Sequence, residues 1–167
     1  MGLDITAYTK LTLVTHLQAD LAGKIAEYID REMALLITET SVNSHFPGRE
    51  AGIDVNALYW FPYKSAFRFR AGAYSRYGEW RRGLAGMVGY AGSYRQEPNP
   101  GPFMELIYFS DCEGIIGPAV SSKLARDFED NLERAKVFSP SDQWIDCYNN
   151  WRKAFNLAAD NGVVEFH

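Results

Sequence analysis

The chain has 167 residues, enough for one domain with a substantial core, and its 47% hydrophobic and 23% charged residues are ordinary for a globular protein. A net charge of −4 and a pI near 5.4 argue against general nucleic-acid binding, which needs a basic face. No apolar run approaches the ~20 residues of a membrane span, the first residues lack the basic and apolar regions of a secretion signal, and two cysteines are too few for a disulfide framework, so the reducing cytoplasm is the expected setting.

Leu3–Tyr8 alternates apolar and polar positions, which predicts a strand, and Leu11–Leu17 alternates likewise. The period then changes. Leu17, Leu21, Ile25, Ile29 and Met33 recur every four residues, and Asp20–Lys24 and Glu27–Arg31 are favourably ordered pairs, so a helix is expected over 19–31. Met33–Thr40 reads as a following strand. Residues 43–56 form a loop around Pro47-Gly48 and Gly52.

Ala57–Phe61 and Ala66–Ala71 are predicted strands joined at Pro62-Tyr63-Lys64. In the second, Phe67 and Phe69 face one way while Arg68 and Arg70 face the other. Gly78–Met87 reads as a short helix with Trp80, Leu84, Met87 and Val88 on one side, weakened by Gly83 and Gly86. Tyr90–Pro102 is a polar surface loop.

Phe103–Phe109 is expected as a buried strand, running into an acidic glycine turn over 110–117. Pro118 suits the first turn of a helix whose stripe is Val120, Leu124, Phe128 and Leu132. Ser139-Pro140-Ser141-Asp142 is an N-cap, and Trp144, Tyr148, Trp151, Phe155 and Ala158 form the apolar face of a last helix. Asp160-Asn161-Gly162 ends it, and Val163–Phe166 would add an edge strand. The expected fold over 1–167 is a single α+β domain. Its mostly antiparallel sheet would carry Leu3–Tyr8, Ala57–Phe61, Ala66–Ala71 and Phe103–Phe109. Helices at 119–136 and 141–159 would pack on one face, and the arginines would line a groove on the other.

The aromatic share, 14%, is high, and some rings are expected at a surface or pocket. Arg70, Tyr74, Ser75, Tyr77, Trp80 and Arg81 interleave aromatic and cationic side chains as binding surfaces do, although a strand-to-helix turn sealing the core has the same composition. Glu105, placed on an apolar strand face, needs a partner, and Arg68 or Arg70 is the expected one. Asp111 and Glu113 could hold a cation or merely shape a turn. Cys112 sits between two carboxylates, which discourages its thiolate. His16, His45 and His167 belong to no metal-ligand motif. No catalytic residue, metal site or cofactor is predicted.

Met1–Tyr8, His45-Phe-Pro-Gly-Arg49, Phe69–Ser75 with Trp80-Arg81, Glu105–Pro118 and the end from Ala154-Phe155 to Phe166-His167 together resemble a family of small uncharacterised proteins encoded by bacteriophages and prophages. Arg-Ala-Gly and Ser-Asp-Cys-Glu-Gly are the most specific blocks, and 18–42 match poorly. The resemblance implies a phage setting and supplies no activity. The leading expectation is a non-enzymatic protein that binds a host macromolecule, such as a defence or metabolic protein. A small-ligand or metal-dependent enzyme using Glu105, Asp111 and Glu113 with Arg70 is one alternative. A structural part of a virion or oligomer is another.

Overall fold

The computed structural model describes residues 2–18, 30, 32–90, 101–110 and 113–167. The helix expected over 19–31 falls outside them but for Asp30, as do 91–100, Asp111 and Cys112. In chain order the described elements are β1 (Leu3–Tyr8), β2 (Thr12–His16), β3 (Ala34–Ile37), β4 (Ala57–Trp60), β5 (Phe67–Gly72), α1 (Tyr74–Met87), α2 (Met104–Tyr108), β6 (Gly114–Ile116), α3 (Pro118–Asp130), α4 (Leu132–Phe138), α5 (Asp142–Ala159) and β7 (Val163–Phe166).

The strands make two antiparallel sheets, a four-stranded one in the order β5-β1-β7-β6 and a three-stranded one in the order β2-β4-β3. The single sheet expected from the sequence is therefore divided. Tyr59 and Phe61 of the first predicted strand point into one core, while Phe67 and Phe69 of the second pack on another, so the chain changes sheets between them. Val163–Phe166 is no edge strand. Ile5 lies opposite Phe166 on one side of it, and Ile116 lies opposite Val164 on the other. Apolar side chains on both of its faces suit that central place, with Val163 in one core and Val164 and Phe166 in the other.

Phe103–Phe109, expected as a strand, is the short helix α2. Its buried residues Phe103, Met104, Leu106 and Ile107 follow helical spacing. The amides of Leu106 and Ile107 both donate to the Phe103 carbonyl, at 3.0 and 2.8 Å. Phe103 enters this turn with φ at 62°, a left-handed conformation costly for a bulky residue. Its amide is held there by the Asp127 carboxylate, 2.8 Å away.

The C-terminal helices form as their patterns predict. Ser141 caps α5, its Oγ accepting from the Trp144 amide at 3.2 Å. Pro118 opens α3 from the N-terminal turn, where its missing N–H costs nothing. Tyr148, Trp151, Phe155 and Ala158 are fully buried and lay α5 across β1, β7 and β5, and α3 packs along α5 through Leu124 and Phe128. Each large side chain so buried contributes roughly 1.5–3 kcal/mol. α1 starts at Tyr74, a turn earlier than expected, because the chain leaves β5 directly through Ala73 into the helix. On the opposite face of the four-stranded sheet, Tyr8, Ile115 and Val163 meet Leu35, Ile37 and Tyr59 in a smaller second core. That contact joins the two sheets into one α+β domain. Among the described residues no helix is long and apolar enough to cross a membrane.

Candidate functional site

Two helix faces define a hollow. On α1, Arg76, Trp80 and Gly83 share a side by their spacing, and on α5 Gln143, Cys147 and Asn150 do the same. Between them runs a groove of about 520 Å³, closed at one end by Arg70 and Gly72 of β5. Trp80 and Trp144 form its aromatic wall, with ring centroids 6.2 Å apart. Trp80 Nε1 donates to the Trp144 carbonyl at 3.3 Å. A Cβ on Gly83 would stand 2.7 Å from Trp144 Nε1, so this mid-helix glycine, which weakens α1 by propensity, is what lets the indole close on the helix. Burial pushes the Cys147 thiol up to about 12, against the opposing contact of Trp151, and so holds it as an unreactive thiol.

The sequence-predicted residues separate. Arg70 and Trp80 line the groove, while Tyr74 and Ser75 are exposed on the first turn of α1 beyond its lining. Tyr77 is core, its Oη donating to the Phe109 carbonyl at 3.0 Å. Arg81 donates from Nη1 to the Ile107 carbonyl at 2.6 Å and lays its guanidinium 4.8 Å from the centre of the Tyr77 ring. Both of these side chains tie α2 to α1.

Glu105 does not meet Arg68 or Arg70. Lys123 Nζ stands 2.6 Å from Glu105 Oε2, 2.9 Å from Asp127 Oδ2 and 2.7 Å from the Gly101 carbonyl. An ammonium has three donors, and all three are engaged. Arg49 Nε adds a bond to the Glu105 carbonyl at 3.1 Å, and desolvation holds that guanidinium's pKa below its ordinary value although Glu105 and Glu50 oppose the shift. This cluster fastens α2 to α3. Helical geometry turned Glu105 away from the sheet on which the arginine pairing depended.

Glu113 is exposed just before β6, where its carbonyl accepts from Asn43 Nδ2 at 2.8 Å. β6 and β5 are the opposite edges of the four-stranded sheet, three strand spacings or roughly 14 Å apart. Arg70 and Glu113 therefore do not converge, and Asp111 lies outside the described residues. Among the described residues no group of three or more His, Cys, Asp and Glu is placed to hold a metal.

Sequence reasoning missed the outer face of the three-stranded sheet. Ala57 and Tyr59 point inward, which leaves Leu58 and Trp60 outward, opposite Leu36 and Ala34 of β3. Trp60 is 57% exposed, and Val14, at a bulge in the edge strand β2, is 54% exposed. Tyr63, in the loop after β4, adds further exposed apolar area, while Leu13, opposite the inward Tyr59, is exposed on the other side of the edge strand. The signal was present: 57–61 reads Ala-Leu-Tyr-Trp-Phe, apolar at every position, so a sheet with one buried face must show some of it to water.

The chain matches no protein-family model, no curated protein and no solved structure. Its own chemistry is thus the guide. The groove offers an aromatic wall with Arg76 beside it, and the small sheet offers exposed apolar side chains beside an edge strand, Thr-Leu-Val-Thr-His, that holds no lysine, arginine or carboxylate.

Proposed function

We propose that this is a non-enzymatic binding protein whose partner, another protein, seats on the outer face of the β2-β4-β3 sheet. The observation that carries the reading is Trp60, Val14 and Tyr63, large apolar side chains left exposed on one small sheet and its adjoining loop. Aromatic residues held on a rigid scaffold supply contact area at small entropic cost, and they are enriched where binding energy concentrates. The edge strand supports the same reading. β2 carries neither lysine nor proline and is exposed along its length, so its backbone can extend pairing to a partner strand.

Binding is favoured over catalysis by how the titratable groups are used. Lys123, Glu105 and Asp127 satisfy one another, and Cys147 is held protonated, so neither place offers a free base or nucleophile. The resemblance to small phage proteins supports a host protein in the bacterial cytoplasm as the partner. Affinity capture from bacterial lysate tests this with the wild type and a Val14→Asp/Trp60→Ser variant. A partner recovered by the wild type and lost by the variant is expected. Equal recovery, or recovery of nothing, rejects the proposal, and a concentration-dependent shift in size would identify a second copy of the chain as the occupant.

A further inference from the structure

We propose that the free edge of β5 is a second docking site, separate from the small sheet, which takes an extended segment of a partner protein that alternates acidic and apolar residues. β5 is an outer strand of the four-stranded sheet, and beyond its ladder with β1 the backbone groups of 67–70 have no hydrogen-bond partner among the described residues. Such a row can pair with one more strand. There is room for it. Arg70, Ala71 and Gly72 line the hollow of about 520 Å³, and Cys147 and Asn150 of α5 line it with them, so the helix continues past the strand as a floor. At the other end of β5, Lys153 Nζ from the same helix lies 4.0 Å from the centre of the Phe67 ring.

The charge pattern says what that segment carries. Arg68 and Arg70 are exposed on the face away from α5, and Phe67 and Phe69 are half-buried on the face towards it. Neither arginine makes an ion pair among the described residues, nor does Lys153, although the whole chain has a net charge of −4. Asp4 stands opposite Arg70 in β1, but the guanidinium lies along Gly2. An added strand would sit about 4.8 Å from β5 and set its side chains opposite these residues. Carboxylates suit the positions facing Arg68 and Arg70, and apolar side chains suit those facing Phe67 and Phe69. The same arginines bar a second copy of β5, because antiparallel self-pairing would set arginine against arginine. The edge is thus closed to its own kind and open to an acidic strand. A polypeptide is favoured over a nucleic acid, whose phosphates offer no donor to the β5 carbonyls.

Fluorescence anisotropy of the full chain with a labelled hexapeptide of alternating glutamate and valine tests this, beside a peptide with lysine in place of glutamate and an oligothymidylate. The acidic peptide is expected to bind tightest. Arg68→Glu/Arg70→Glu should weaken it by about tenfold or more and favour the lysine peptide. Both arginines are exposed, so the variant should melt at the wild-type temperature. Two further acidic peptides, N-methylated at one or the other set of alternate residues, separate strand pairing from simple attraction without altering the protein. An extended strand turns one set of its amides to β5 and the other to solvent, so one of these peptides should lose binding and the other keep it. Failure of the acidic peptide to bind at millimolar concentration overturns the proposal. So does equal loss or equal retention by the two methylated peptides, binding indifferent to the double substitution, or tighter binding of the lysine peptide or the oligonucleotide.

Discussion

Around α5 the aromatic rings face one another, whereas on the outer face of the three-stranded sheet Trp60 faces water. Trp151 has Phe69, Tyr77, Trp80, Phe155 and Phe166 with ring centroids between 5.1 and 5.8 Å away. Trp60 is more than half exposed. One set of rings is saturated by its own kind and holds the helices to the larger sheet. The other is unsatisfied, and the fold does not depend on it. A high aromatic content is thus the sum of two populations with different jobs, and only position separates them.

The sharpest way to break this comparison is to truncate one ring from each set. Trp151→Ala empties the centre of the aromatic cluster and should cost about 3–5 kcal/mol in denaturant unfolding. A loss below about 1 kcal/mol would mean that the rings around α5 are not the stabilising set. Alkaline titration probes the same core more gently. Burial raises the Cys147 thiol from 9.0 to about 12, and burial also raises the Tyr148 phenol. Above about pH 9 the unfolded chain releases protons that the folded one keeps. The contribution is therefore complete below that pH and is lost as pH climbs towards 12. At about pH 10.5 the thiol's share should be about 2 kcal/mol, and Cys147→Ala should flatten the fall in unfolding free energy between pH 8.5 and 10.5. An unaltered slope would show that the thiol is not buried as described. The smallest effect is expected at Trp60. Trp60→Ala should change stability by no more than about 0.5 kcal/mol, and a larger loss would make it part of the fold rather than of a binding face.

Local pattern carried much of this structure. The alternation of Leu3–Tyr8 is β1, and the four-residue stripes at Leu124–Phe128 and Trp144–Phe155 are the faces that α3 and α5 bury. Ser141 could be read as a cap because capping is a short-range bond. Phe103–Phe109 misled because a short run that is nearly all apolar satisfies both periods. Glu105 fits a strand face or a helix flank equally well until Lys123 and Asp127 arrive from α3 to decide it. Division into two sheets was hidden for a similar reason. One of the two partners of Ala57–Trp60 is Thr12–His16, some forty residues upstream, and no turn residue specifies it. The candidate groove was half visible. Arg70 and Trp80 were singled out, but Tyr77 and Arg81 carry the same residue chemistry and are spent on α2. Trp144 and Gly83 join them only through the packing of α5 on α1.

The position of β7 governs when this protein can be built. Thr6 and His167, bonded at 3.0 Å, are separated by 161 positions, and β7 is the strand through which β1 and β6 are joined. During translation β1 can pair only with β5. Its other edge stays open until the ribosome has released 163–166, and the aromatic cluster has no floor before then. Closure of so long a loop makes folding slow. A nascent chain stalled before Val163 would be a substrate for chaperones and proteases rather than a working fragment.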